Sequence, residues 1–190
     1  MNRGINYHWI VTIVCVSVVT SMVFSFVSSE MLDGAGYVGS FLLLLVFIVI
    51  GILFDTLGVA VTSAQEKPLH SMASHGEYGA KQAIKLVRKS ERVASICNDV
   101  VGDISGIVSG ATAAVIAGNL TNDFSLSSVL MQLLVTGAVA GFTIGGKAVG
   151  KSLAMTYDCQ IVLIAGKVIA FVSGSKDVNK KKDVNKKKNS

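Results

Sequence analysis

The sequence predicts an all-α integral membrane protein with about four transmembrane helices plus amphipathic juxtamembrane helices. The composition is apolar, at 51% hydrophobic residues with a mean hydropathy of +0.60. Charged residues make up only 15%, against about 25% in a soluble domain. Apolar runs recur at close to the roughly 20 residues that cross a hydrocarbon core.

The first run covers 9–27, with Arg3 before it and Tyr7 and Trp9 suited to an interfacial belt. It is longer than a usual signal-peptide core and lacks a clear A-x-A site, so a retained signal-anchor helix is expected. Residues 1–36 then form that anchor and an external loop carrying Glu30 and Asp33. The second run, 37–61, holds Asp55 and Thr56 in its later half.

Residues 63–92 carry Lys67, Lys81, Lys85, Arg88, Lys89 and Arg92. Ser63-x-x-Glu66 and Ser74-x-x-Glu77 read as capping boxes, each a helix start, and Pro68 fits an early helical position. From Glu77 onward Ala80, Ala83, Ile84 and Val87 share one face, which predicts a basic amphipathic helix on the cytoplasmic membrane surface. The third span is expected at 93–119 and the fourth at 126–148. The segment 152–172 contains Asp158, Gln160 and Lys167 and reads as a second interfacial helix in preference to a fifth span. The tail 173–190 repeats Lys-Asp-Val-Asn-Lys-Lys, a polar composition expected to be disordered and cytoplasmic.

Charge orients the spans. Arg3, the 63–92 segment, Lys147, Lys151 and the tail fall on one side of a four-span arrangement, and Glu30, Asp33 and Asp123 on the other. The positive-inside rule then puts both termini in the cytoplasm of a multi-pass protein of the plasma (inner) membrane. The tail's seven Lys and two Asp account for the whole net charge of +5. No basic face carries an aromatic platform in the neutral body, so nucleic acid is not expected as a partner. Cys15, Cys97 and Cys159 form neither a CxxC nor a Cys/His pair, which argues against a disulfide framework or zinc site. His70 and His75 lack acidic ligand spacing, and no Ser/His/Asp or Cys/His set is present, so an enzyme is not expected.

Small residues recur every four positions in the last two spans: Gly102, Gly106, Gly110, Ala114 and Gly118, then Gly137, Gly141 and Gly145. Such stripes let helices approach closely in lipid. They are expected to pack spans three and four together, with self-association as the alternative.

The residues able to do chemistry are Asp55, Asp99 and Asp103, each costing roughly 2.5–3.5 kcal/mol at a bilayer centre unless partnered. Asp99 and Asp103 share a helix face, with Asn98 beside Asp99 and Thr56 beside Asp55. These oxygens suit a hard cation such as Mg²⁺ or a proton relay. Alternatively Lys147, near the inner end of span four, pairs with Asp99 or Asp103 and takes the cation's place, since buried charges are commonly paired. Hydration of the carboxylates is a third reading. No organic cofactor is expected.

The stretch Gly76-Glu-Tyr-Gly79-Ala-Lys-Gln-Ala-Ile-Lys-Leu-Val-Arg-Lys-Ser-Glu-Arg92, followed by Ile96-Cys-Asn98-Asp99, resembles the membrane domain of the CNNM/CorC (CorB) magnesium and cobalt transport family. Asn98 matches the first Asn of that family's G-N-N-x-x-N motif, whereas Asp99 and Gly102 replace the other two. Phe54-Asp-Thr-Leu-Gly-Val-Ala-Val-Thr62 is similar to F-S-G-x-E-T-A-x-T, with Ala60 and Thr62 matching, Asp55 in place of Ser and Gly58 in place of Glu. Gly146-Lys-Ala-Val-Gly-Lys-Ser-Leu-Ala154 is similar to G-E-x-x-P-K-x-L-A, with Lys147 replacing Glu and Gly150 replacing Pro. The resemblance spans residues 40–172 and implies a dimeric helical domain, here 37–172, with a mid-membrane cation site. The family's paired CBS modules are not matched, so ATP-linked regulation is not carried over. The resemblance implies divalent cation (Mg²⁺/Co²⁺) transport or homeostasis through Asp55, Thr56, Asn98, Asp99 and, second, Asp103. The alternative is a non-transporting accessory module that binds a copy of itself or a related membrane protein through its Gly-rich faces, with Lys147 in the cation site.

Overall fold

The computed structural model describes residues 7–32, 36–124 and 128–173. The helices are α1 (Tyr7–Leu32), α2 (Gly36–Ser63), α3 (Glu66–Ser74), α4 (Ala80–Arg88), α5 (Ser90–Ala94), a π-helical segment (Ser95–Gly102), α6 (Asp103–Phe124), α7 (Ser128–Thr156) and α8 (Asp158–Val172). No strand occurs among the described residues. Arg3, Asp33 and the Lys-rich tail from 174 onward lie outside them.

Four helical stretches are long and apolar enough to cross a bilayer: Tyr7–Leu32, Gly36–Ser63, Ser90–Thr121 and Ser128–Thr156. The protein is therefore an all-α membrane protein. With 15 residues, α8 rises only about 22 Å, short of a hydrocarbon core of about 30 Å. Several helices run past their expected ends: α1 continues to Leu32, α6 to Phe124 instead of 119, and α7 to Thr156 instead of 148. Neither Lys147 nor Lys151 stops α7, because a long lysine stem can carry its ammonium away from apolar surroundings without disturbing the helical backbone.

The chain forms two compact units. The first comprises Met1–Thr56 and Ser95–Lys151, the second Leu57–Ala94 and Ser152–Ser190. In the first, α1 packs on α6 and on the π-helical segment. Leu43 and Phe47 of α2 meet Val100, Ile104 and Val108, with Ile13, Phe24 and Leu32 of α1 against them. The rings of Phe24 and Phe47 lie 5.7 Å apart, tilted by 55°, within the range of favourable aromatic pairs. A second cluster joins Leu44 to Ala113 and Ile116, flanked by Val135 and Val139 of α7. The inward face of α6 also carries Ser105, Ser109 and Thr112, all nearly fully buried. Their hydroxyls donate to the carbonyls of Val101, Gly106 and Val108. Back-bonding of this kind lets hydroxyl residues lie in an apolar interior with their protons satisfied.

The second unit is built on a crossing of α4 and α8, with α3 packed on both. Ala60, Val61, Ala64, Leu69, Ala83, Ile84, Ala154 and Val162 form its core. The expected helix from Glu77 starts later, and neither capping box forms. Ser63 is the last residue of α2, and α3 begins after Gln65 with no side-chain cap. Ser74 turns its hydroxyl back onto the Ser71 carbonyl, 2.7 Å away. Gly76 and Gly79 adopt φ of +79° and +83°, breaking the segment into two short helices. Both serines are thus already committed to the helix that ends at them.

Ion pairs tie the short helices together. Glu66 of α3 accepts from Arg88 of α4 and contacts His70, both at 3.2 Å. Lys167 of α8 reaches Glu77 at 3.2 Å. The hydrogen bond from His70, then that from Arg88, holds the Glu66 carboxyl below its usual range. A lowered folded-state pKa means the contribution is complete above the unfolded value and fades as pH falls through the folded one. Thermal unfolding between neutral and acid pH should therefore show a small acid loss that Glu66→Gln removes. An unchanged acid slope in that variant would contradict the assignment.

Candidate functional site

In the first unit, α2, α7 and the junction of the π-helical segment with α6 approach one another through glycines. A methyl group added at Gly51 would lie 3.2 Å from the Cβ of Ser105. One at Gly146 would overlap Ile52, and one at Gly150 would overlap the Thr56 hydroxyl. The pair Gly146-x-x-x-Gly150 therefore makes the α2–α7 approach, as small residues four apart do in lipid.

The π-helical segment holds Asn98 and Asp99 and ends at Gly102. Its wider turn is rare and recurs at functional sites. The position a Cβ would take on Gly102 is 3.2 Å from the Cys97 carbonyl oxygen, 3.8 Å from Lys147 Nζ and 3.9 Å from Asp55 Oδ1. Lys147 Nζ donates to the Gly102 carbonyl at 3.4 Å and lies 3.9 Å from Asp103 Oδ1. Lys151 Nζ lies 3.6 Å from Asp55 Oδ2. Two carboxylates and two ammonium groups thus balance at this junction. Asp55 is the most enclosed, with 5% of its surface exposed, and a carboxylate so enclosed requires a partner.

The other expected ligands are placed differently. Thr56 donates to the Ile52 carbonyl at 2.7 Å and faces Gly150. Asp99 is exposed and accepts from Ser95 Oγ at 2.8 Å. Asn98 is half-buried, and its Oδ1 has no hydrogen-bond partner within the protein. Among the described residues no group of three or more His, Cys, Asp or Glu side chains could hold a metal ion. Mg²⁺ demands octahedral oxygen ligation. A doubly charged ion beside Asp55 would meet two ammonium groups that already neutralise the carboxylates.

The glycine stripes do not make the expected close contact: Gly106 and Gly110 line an open groove between α6 and α7, and no neighbour reaches Gly137, Gly141 or Gly145. Methyl groups at Gly106, Gly110, Gly137, Gly141 and Gly145 would each meet open space, and only Gly102 of the set is crowded. The contact faces lie one residue further round each helix, about 100° away: Ser105 and Ser109 on α6, Gly146 and Gly150 on α7. Between α6 and α7 a groove of about 310 Å³ is lined by Gly106, Ser109, Gly110, Thr136, Ala140 and Thr143 among others. Lys151, Gly51, Gly146 and Gly150 were missed by reasoning from sequence. The Gly146–Gly150 spacing and the one-turn offset of Lys151 from Lys147 were the signals that could have found them. The π-helical segment left no such signal.

No protein-family model, curated protein or solved structure matches the chain.

Proposed function

We propose that the chain is a non-transporting membrane module in which the Lys147 ammonium takes the position a transported cation would need. The observation that carries this is the position of Lys147 Nζ, within 4 Å of both the Gly102 carbonyl and the Asp103 carboxylate, with Lys151 on Asp55. A fixed amine supplies positive charge without the exchange that transport requires. The open glycine faces of α6 and α7 then serve association with a second copy or a related membrane protein. Both termini lie in the cytoplasm of a plasma (inner) membrane, following the placement of Lys and Arg in the sequence.

Mg²⁺ titration during thermal unfolding tests this reading. The parent should show no metal-dependent shift. Lys147→Glu should gain one, because a ligand at 100 times its Kd stabilises by about 2.7 kcal/mol. Metal stabilisation of the parent would overturn the proposal.

A second reading is divalent cation transport or homeostasis of the CNNM/CorC kind. Two buried oxygens without a hydrogen-bond donor favour it, Asp55 Oδ2 and Asn98 Oδ1, since such atoms call for an explanation and an ion is one. In that reading Lys147 and Lys151 must leave their carboxylates before the ion, as substrate, enters.

A further inference from the structure

The second unit contains a helix with two apolar faces. Leu163, Gly166 and Ala170 of α8 are buried at its crossing with α4. Its opposite side presents Ile164 at 60%, Val168 at 57%, Phe171 at 80% and Val172 at 79% exposure. These positions follow helical spacing, so they form a continuous stripe. Tyr157, half exposed at the corner between α7 and α8, is of the type that sits at the boundary between acyl chains and headgroups. The helix is too short to cross a bilayer, so this stripe cannot be explained as a further span.

The partner helix carries the complementary chemistry. Lys81 and Lys85 line one exposed side of α4 and exposed Lys89 follows, whereas Arg88 beside them is held by Glu66. The Glu77–Lys167 pair and the close approach of Gly79 to Gly166 fix α4 to α8. Apolar stripe and cations therefore belong to one rigid pair of helices. An apolar face on one helix, with clustered Lys on the helix packed behind it, suits a helix pair lying in an acidic lipid interface.

We propose that α8 lies in the headgroup–acyl boundary, with its Ile164–Val168–Phe171–Val172 stripe among acyl chains and the cations of α4 on acidic phospholipid headgroups. The occupant of the stripe is lipid and not a second protein chain, because the four candidate spans already place this protein in a bilayer. The inference rests on the membrane reading and is independent of the role given to Lys147.

The test uses the full chain in a Trp9→Phe background, with Phe171→Trp and, separately, Ile164→Trp. Each is reconstituted into phosphatidylcholine vesicles with and without phosphatidylglycerol, with bromine placed either near the headgroups or near the chain ends. The expected result is blue-shifted tryptophan emission, quenched more strongly by the shallow bromine. Quenching should rise with phosphatidylglycerol, and the combined change Lys81→Gln, Lys85→Gln, Lys89→Gln should abolish that rise. Emission typical of water, or blue-shifted emission that ignores bromine and follows protein density, would overturn lipid as the occupant. Stronger quenching by the deep bromine would overturn the interfacial depth, and indifference to phosphatidylglycerol would overturn the acidic headgroup contact.

Discussion

Gly79→Ala is expected to open the second unit, at a cost of about 2–5 kcal/mol. Two effects add at this residue. Its φ of +83° is a left-handed conformation that costs an L side chain about 1–2 kcal/mol. The new Cβ would also lie 2.5 Å from the Lys167 amide nitrogen and 2.8 Å from the Gly166 carbonyl carbon. Backbone atoms cannot swing aside as a side chain does, so the two helices must separate, and such overpacking costs about 1–3 kcal/mol. Gly166→Ala meets the same crossing from the other side, 2.5 Å from the Gly79 carbonyl oxygen and 2.8 Å from the Ala83 nitrogen. Gly76→Ala provides the control: its φ is +79° but the space around it is open, so only the conformational cost applies. Amide hydrogen exchange in α4 and α8 should accelerate about tenfold for each 1.4 kcal/mol lost through such openings. Equal protection in Gly79→Ala and Gly76→Ala would show that the close crossing is not what holds these helices.

The second large effect is expected at the charge junction. Lys147→Met and Lys151→Met together remove both cations of the junction, the Asp103 partner and the Asp55 partner, leaving the enclosed Asp55 carboxylate without an ionic partner. Breaking a buried pair in this way costs about 3–5 kcal/mol. Each single variant should cost less. Lys147 retains 21% and Lys151 53% side-chain exposure, and Asp103, at 69%, can rehydrate. Adding Asp55→Asn to the double variant should recover most of the loss, because the uncompensated charge is gone. Chemical unfolding of the four proteins in one detergent gives the comparison. Failure of Asp55→Asn to recover stability would mean that the lysines act through packing and not through their charge.

Much of the architecture was legible in the sequence because hydropathy acts over whole helices. The four spans follow from run length alone, and the shortness of α8 from its polar flanks at Asp158 and Gln160. Details that depend on one helix meeting another were not legible. The stripe Gly137–Gly141–Gly145 and the pair Gly146–Gly150 differ by a single residue, and a string of small residues does not say which of its edges another helix will approach. The capping boxes failed for a related reason. Ser63 and Ser74 each sit where a helix ends, and local spacing cannot tell an end from a beginning. Gly76 and Gly79 were the better signals, since both need positive φ.

At the candidate site the sequence pointed to Asp55, Thr56, Asn98 and Asp99, with Asp103 second and Lys147 as the amine that could take the cation's place; of these, Asp55, Asp103 and Lys147 come together at one junction. It did not reveal that Asp99 would turn outward onto Ser95, because the π-helical segment rotates its side chains away from α-helical positions. Nor did it reveal that Lys151 would reach Asp55. Open glycine faces on α6 and α7 have a separate consequence. Gly141→Leu should leave the monomer's stability nearly unchanged while weakening association in the membrane, which cross-linking at varied lipid dilution would measure. Unaltered association would remove these faces from the partner reading.

The most direct measurement is uptake of Mg²⁺ and Co²⁺ into proteoliposomes containing the parent chain, beside Asp55→Asn. On the proposed role of Lys147, the parent should admit neither metal faster than protein-free vesicles. Divalent uptake by the parent that disappears in Asp55→Asn would contradict the account and establish a conducting site.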